Sequence, residues 1–156
     1  MKIRLITIGK TDESYLREGI NKYVSRLKHY INFEMIELPD VKTGKKLNIN
    51  LQKEAESKEL VKLISKSDFV VLLDENGKEF NSVGFSDYIQ KRMNSGLDLC
   101  FIIGGPFGFS KEMYDRANQK IALSQMTFSH QMIRLLFVEQ VYRSYSILKG
   151  EKYHHI

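Results

Sequence analysis

The sequence predicts an α/β fold: a mostly parallel sheet with helices on both faces. Three observations carry that expectation. Apolar runs of strand length alternate with helix-period segments along all 156 residues. Most of the runs are continuous rather than alternating, as in strands buried on both faces. Serines and glycines punctuate the later helices, where caps and stops belong.

The elements follow in order. "IRLITIG" (3–9) reads as a buried strand, and "YLREGINKYVSRLKHY" (15–30) as an amphipathic helix with Asp12 near its start. "FEMIEL" (33–38) alternates with period two and reads as a strand ending at Pro39. The polar connection "VKTGKKLNIN" leads to a helix over about 51–66. "FVVLLD" (69–74) is a third strand, followed by an Asn76-Gly77 turn. A helix over about 84–94 stops at Gly96, "LCFIIGG" (99–105) is a fourth strand, and Ser110 caps a helix to about 118. "KIALS" (120–124) is a short fifth strand, and Ser129 caps a long last helix that runs to Leu148 before Gly150. With neither an internal repeat nor a low-complexity segment, residues 1–156 read as one domain.

Composition narrows the function classes. A hydrophobic fraction of 42% with 28% charged residues is that of a globular chain. No apolar run approaches the length of a membrane span, and the opening "MKIRLITIG" is too short in apolar residues for a signal peptide. The single cysteine, Cys100, cannot form an intramolecular disulfide and sits in an apolar run, which suits an inert core thiol in a reducing cytoplasm. A net charge of +5 is compatible with a polyanionic partner such as RNA. The charges near 52–66 alternate in sign (Lys53, Glu54, Glu56, Lys58, Glu59, Lys62) and read as a solvated face with i,i+4 pairs.

In a parallel sheet, ligands bind at loops leaving the carboxyl ends of strands. That singles out the loops after Asp74, at 104–109 and at 124–129. "GKT" at 9–11 imitates the end of a P-loop, but Arg4 stands where that motif needs a glycine. "GGPFG" is no dinucleotide fingerprint, and Pro106 removes an N–H on which a phosphate cradle depends. The loop suits a flat, uncharged or cationic ligand approaching the backbone at Gly104 and Gly105, or else is simply a tight strand-to-helix turn. His29, His130, His154 and His155 lack metal-ligand spacing, so no metal is expected, and His130 reads as exposed in the first helical turn. Glu139 and Arg143 stand at i,i+4 and, taken alone, read as a helix ion pair.

The last helix has an unusual composition. Eleven of the 17 positions from Met132 to Leu148 are apolar, more than one sheet-facing stripe requires. The expectation is a homodimer in which this helix meets its own copy about a two-fold axis.

Together "MKIRLITIGK", "VVLLDENGKEF", "FIIGGPFGFS" and "LSQMTFSHQMIRLLFVEQVYRSYSILKGEKYHH" resemble the ribosomal RNA large subunit methyltransferase H family, the minimal single-domain branch of the SPOUT methyltransferases. The resemblance runs from Met1 to the C-terminal histidines, and the last third is its specific part. It implies a C-terminal trefoil knot within about 100–150, which chain periodicity cannot reveal. It implies S-adenosyl-L-methionine as cofactor, held at Leu73, Gly104, Leu123, Ser124, Gln125, Met126, Thr127 and Phe128. It also implies N3-methylation of a pseudouridine in a stem-loop of large-subunit (23S) rRNA, on the assembled ribosome. The implied enzyme is a homodimer in which one subunit's tail completes the other's site.

On that resemblance the chemistry needs alignment and loss of one proton. Arg143 would stabilise charge developing on the base carbonyl. Tyr153 and His154 would position the base, and the His154 imidazole is a candidate proton acceptor. Glu139 is either a rival base or the residue that orients Arg143. Lys42, Lys45 and Lys46 would touch phosphate or merely form a solvated loop, the plainer reading. The rival functions are the same fold acting on another RNA, such as a tRNA ribose, and a non-catalytic RNA- or nucleotide-binding module.

Overall fold

The computed structural model describes residues 1–44, 46 and 48–155. Five strands are present among these residues: β1 (Lys2–Ile8), β2 (Asn32–Leu38), β3 (Phe69–Glu79), β4 (Leu99–Ile103) and β5 (Gln119–Ala122). They alternate with α1 (Ser14–Leu27), α2 (Ile49–Leu63), α3 (Ser82–Ser95), α4 (Lys111–Arg116) and α5 (Met132–Leu148). The sheet order is β2-β1-β4-β3-β5, and every pairing is parallel. Leu99–Ile103 of β4 is buried throughout, because this strand has neighbours on both edges and helices over both faces.

The two faces have separate cores. One joins Leu5, Val71 and Phe101 to Ile20 of α1, Phe85 and Ile89 of α3, and Phe137, Val138 and Val141 of α5. The other joins Ile6, Leu72 and Ile102 to Leu60 of α2 and Met113 of α4. Alternate residues of each strand thus supply opposite cores, as a pleated strand dictates.

Most helix ends match their local chemistry. Ser110 Oγ caps α4 through the Met113 N–H, and Asn81 Oδ1 caps α3 through the Gly84 N–H at 2.8 Å. Gly96 terminates α3 in the left-handed region at φ 72°. Ser129 lies one turn ahead of α5 and still caps it, its Oγ accepting from the Met132 N–H at 3.0 Å. α1 is the exception: Glu13 is its N-cap residue and makes no side-chain cap bond. The backbone N–H of Asp12 is instead held by Gln131 Oε1 at 2.9 Å.

Two expectations need correction. The Asn76-Gly77 pair is no free turn, because β3 continues to Glu79. Leu73 and Lys78 both pair with Ile121, so the residues between them bulge out of the ladder. Gly77 permits this, since a methyl group there would stand 2.6 Å from the backbone of Ile121. Gly77→Ala is therefore expected to cost about 2 kcal/mol, which for a chain of this size lowers the thermal midpoint by about 4–8 °C. A calorimetric scan checks it. The second correction concerns Glu56, which is not on a solvated face but buried at 5% exposure. The pair that does form on that helix is Lys62–Glu59, at i,i+3 and 2.8 Å.

Cys100 is fully buried, and burial pushes its thiol up to about 12. The native protein is expected not to react with an aromatic disulfide reagent, and the denatured protein to release one equivalent. Among the described residues no helix is long and apolar enough to cross a membrane.

α5 lies between α1 and α3 on its face of the sheet. Gly19 of α1 lets α5 approach closely, for a methyl group there would sit 3.0 Å from Leu135 Cδ1. No residue from Met132 to Leu148 is exposed. Much of the apolar composition of α5, which exceeds one sheet-facing stripe, is thus absorbed by its own chain. A half-buried stripe remains on the outer face: Met132, Leu136, Gln140, Arg143 and Ile147.

Candidate active site

A cavity of about 350 Å³ opens where β4 and β5 end beside the bulge of β3. Leu73 to Asn76, Ile103 to Phe109, Tyr114, Ile121 to Ser124, Met126 to Phe128, His130 and Ile133 line it. The bulge of β3 pushes Asp74, Glu75 and Asn76 into its wall, linking strand register directly to the site. Four partly exposed apolar side chains surround it: Phe107, Tyr114, Met126 and Phe128. So concentrated an apolar rim marks a surface that meets a ligand or partner.

The glycine loop is a tight turn. The Gly108 N–H donates to the Gly105 carbonyl at 3.1 Å, with Pro106 at the position where its fixed φ favours a turn. The missing side chains serve the protein itself. A methyl group on Gly104 would meet the Phe109 ring at 3.1 Å, and one on Gly105 would meet the Glu56 carboxylate at 2.9 Å. The glycines therefore let the loop pack inward, while its backbone and the Pro106 and Phe107 side chains line the cavity. Burial raises the pKa of Glu56 behind that loop, and Gln52 Nε2 donates to it at 3.1 Å.

Polar groups around the cavity are mostly fixed. Thr127 Oγ1 donates to Glu75 Oε2 at 2.6 Å, tying the loop after β5 to the bulge. Met126 N–H donates to Ser124 Oγ at 3.0 Å. The Tyr114 hydroxyl donates to Asp74. His130 is half-buried rather than exposed, and its pKa is lowered by burial and then by the neighbouring Arg134 guanidinium. Among the described residues no lysine or arginine lines the cavity, whereas Asp74 and Glu75 do. Such a lining disfavours phosphate and accommodates a ligand carrying positive charge.

Seven of the eight expected cofactor residues line this cavity: Leu73, Gly104, Leu123, Ser124, Met126, Thr127 and Phe128. Gln125 does not; it faces an adjacent surface depression with Asn76, Gly77 and Glu79.

Glu139, Arg143, Tyr153 and His154 come together, but elsewhere. Arg143 Nη2 and Nε donate to Glu139 Oε1 at 2.5 and 3.1 Å, and Nη1 approaches His154 Nδ1 at 3.0 Å. A guanidinium has no acceptor, so this contact makes Nδ1 the acceptor and places the imidazole proton on Nε2. The Tyr153 hydroxyl donates its one proton to Glu139 Oε1 at 2.9 Å, and the Tyr23 hydroxyl lies 3.3 Å from it. Burial raises the Tyr153 pKa most, with further increases from the bonds to Tyr23 and Glu139. The Arg143 guanidinium lies 4.8 Å from the Tyr153 ring centre, and Tyr142 meets that ring edge-on at 4.8 Å. Hydrogen bonding to Glu139 is the main cause of the raised Arg143 pKa. None of the four lines the cavity. Ile133, which does, precedes Arg143 by ten residues of α5, or about 15 Å of helix.

Arg134 was not anticipated from sequence. It is fully buried, and its guanidinium donates to the carbonyls of Ile8 at 2.7 Å, Gly9 at 2.9 Å and His130 at 3.0 Å. It also reaches Thr11 Oγ1 at 3.1 Å and Glu37 Oε2 at 3.4 Å. These bonds clamp the start of α5, with His130 beside it, to the loop after β1. Of the basic connection, Lys42 and Lys46 are exposed, and Lys45 lies outside the described residues. Among the described residues no cluster of three or more His, Cys, Asp or Glu side chains could hold a metal ion.

A family model described as "Predicted SPOUT methyltransferase" matches residues 1–154. The chain belongs to the SPOUT methyltransferases. Curated relatives agree along the full length. A protein of Christiangramia forsetii named "Ribosomal RNA large subunit methyltransferase H" is 58% identical over 156 residues, covering 99% of both chains. Proteins of the same name from Parabacteroides distasonis and Flavobacterium johnsoniae are 54% and 52% identical, with the same coverage.

Proposed function

We propose that the protein is an S-adenosyl-L-methionine-dependent methyltransferase acting at N3 of a pseudouridine in a stem-loop of large-subunit rRNA, in the assembled ribosome. One observation carries the reading: an acidic slot, free of lysine and arginine among the described residues and touched by Ile133 of α5, stands in the same chain as a preassembled Arg143 cluster farther along that helix. The names of the relatives favour rRNA over tRNA and an enzyme over a passive binder.

The slot residues fit the cofactor. Leu73, Ile103 and Phe128 give apolar walls for adenine, and Asp74 and Glu75 suit its positive charge. Leu73, Gly104 and the run Leu123–Phe128 would hold it, Gln125 from the outer edge. When bound, S-adenosyl-L-methionine supplies an electrophilic methyl group on sulfur. The protein's task is to place N3 of the base in line with it and to remove the N3 proton.

Arg143 stabilises the charge that develops on the base carbonyl. Both Glu139 oxygens already accept hydrogen bonds, Oε1 from Arg143 and Tyr153 and Oε2 from Gln140 Nε2 at 3.1 Å. Glu139 therefore orients Arg143 rather than serving as the base. His154 takes the N3 proton on Nδ1 once the base carbonyl replaces it as the partner of Arg143 Nη1. Tyr153 supplies a ring face for the base.

Arg143 and the slot are brought together across a two-fold axis, in a homodimer built on the half-buried outer stripe of α5. Each slot then receives the Arg143 cluster and tail of the partner subunit. The chain acts as one domain, 1–156, with its C-terminal part threaded into the family's knot, in the cytoplasm and without a metal. Selectivity comes from the shape of the ribosome and the basic excess of the chain.

The test is transfer of labelled methyl groups to assembled ribosomes, free rRNA and tRNA in parallel. Label in ribosomes, lost when the target is not a pseudouridine, is the expected result. Label in tRNA alone would overturn the substrate assignment, and no label anywhere would favour a binding module.

A further inference from the structure

We propose that Asp74, at the bulge of β3, reads the ribose diol of the bound cofactor and that Tyr114 holds its carboxylate ready to do so. The inference rests on the cofactor reading above.

Asp74 and Glu75 are the two carboxylates in the cavity wall, and their situations differ. Glu75 is engaged across the slot by Thr127 at 2.6 Å. Asp74 is fixed at both oxygens: Oδ1 accepts from the Asn76 N–H at 2.8 Å and Oδ2 from the hydroxyl of Tyr114 in α4. A carboxylate has about four acceptor positions, so two bonds fix its plane and leave one position free on each oxygen. A vicinal diol presents two donors at a spacing that matches those two oxygens. In α/β folds an acidic residue near the carboxyl edge of the sheet commonly reads a ribose diol, and the bulge of β3 brings Asp74 into the cavity at that edge.

Tyr114 is suited to the holding role. Its ring is set between the edge of Phe109, 5.9 Å away, and the Lys120 ammonium at 5.4 Å. Burial and the bond to Asp74 raise its pKa to about 12, so it remains a donor throughout the physiological range. Hydrogen bonds that fix a carboxylate before the ligand arrives remove an ordering cost from binding.

Asp74 would equally attract a sulfonium or ammonium charge, so the test uses ligands that carry neither. Binding of 5′-methylthioadenosine and its 2′,3′-dideoxy analogue is measured by calorimetry on the unchanged protein and on Asp74→Asn. Loss of the diol and loss of the carboxylate are each expected to weaken binding by roughly ten- to hundredfold. Combined, they should cost no more than either alone. The unfolding midpoint of Asp74→Asn without ligand, expected within about 3 °C of the parent, shows that the bulge is intact. Unchanged affinity of Asp74→Asn for 5′-methylthioadenosine, or penalties that simply multiply, would overturn the proposal. Failure of the unchanged protein to bind either 5′-methylthioadenosine or S-adenosyl-L-methionine would remove the cofactor reading itself.

Discussion

Replacing Arg143 with Ala is expected to lower methyl transfer to ribosomes by roughly 10²–10³-fold, the usual cost of losing one preorganised donor to a developing anion. Cofactor affinity should stay within about twofold, because Arg143 does not line the strand-end cavity. The variant should fold, since the side chain is only a quarter exposed but its partners, Glu139, His154 and the Tyr153 ring, remain near solvent-accessible surface. Arg143→Lys should recover little of the rate. A lysine keeps the charge but cannot hold Glu139 through two nitrogens while presenting a third group to His154. Single-turnover rates with cofactor affinity measured alongside separate these effects, and unchanged turnover in Arg143→Ala would remove Arg143 from the chemistry.

Arg134→Met should destabilise the protein by about 3–5 kcal/mol, the range for breaking a buried charged network by removing one partner. Met fills much of the volume but leaves the Ile8 and Gly9 carbonyls without their guanidinium donors. The urea midpoint should fall with little change in slope. A loss below about 1 kcal/mol would mean that water replaces the guanidinium and that the clamp is not structural.

Sequence made the layer architecture legible because buried parallel strands announce themselves as short apolar runs between helix-period segments. The place of the cavity was legible for the same reason, since parallel strands direct their loops to one edge. What escaped depends on partners distant in the chain. Asn76-Gly77 is a turn by local chemistry, and only the approach of Ile121 makes it a bulge. Glu56 sits in an alternating charge pattern that is normally solvated, yet Gly105 admits its carboxylate to the interior. Arg134, one residue among many apolar ones, finds all its partners but the His130 carbonyl more than ninety positions away. The separation of the Arg143 cluster from the slot was likewise invisible, because motif spacing says nothing of which end of α5 faces the cavity.

That separation gives the most direct measurement. Chains carrying Arg143→Ala are mixed and refolded with chains whose slot is filled by Ser124→Trp, a change confirmed by loss of cofactor binding. Each variant alone is inactive. If the slot of one subunit works with Arg143 of the other, the equimolar mixture regains about a quarter of the parental rate, because half the dimers are mixed and each has one complete site. If slot and Arg143 act within one chain, no chain in the mixture has both, and methyl transfer stays at the level of the separate variants.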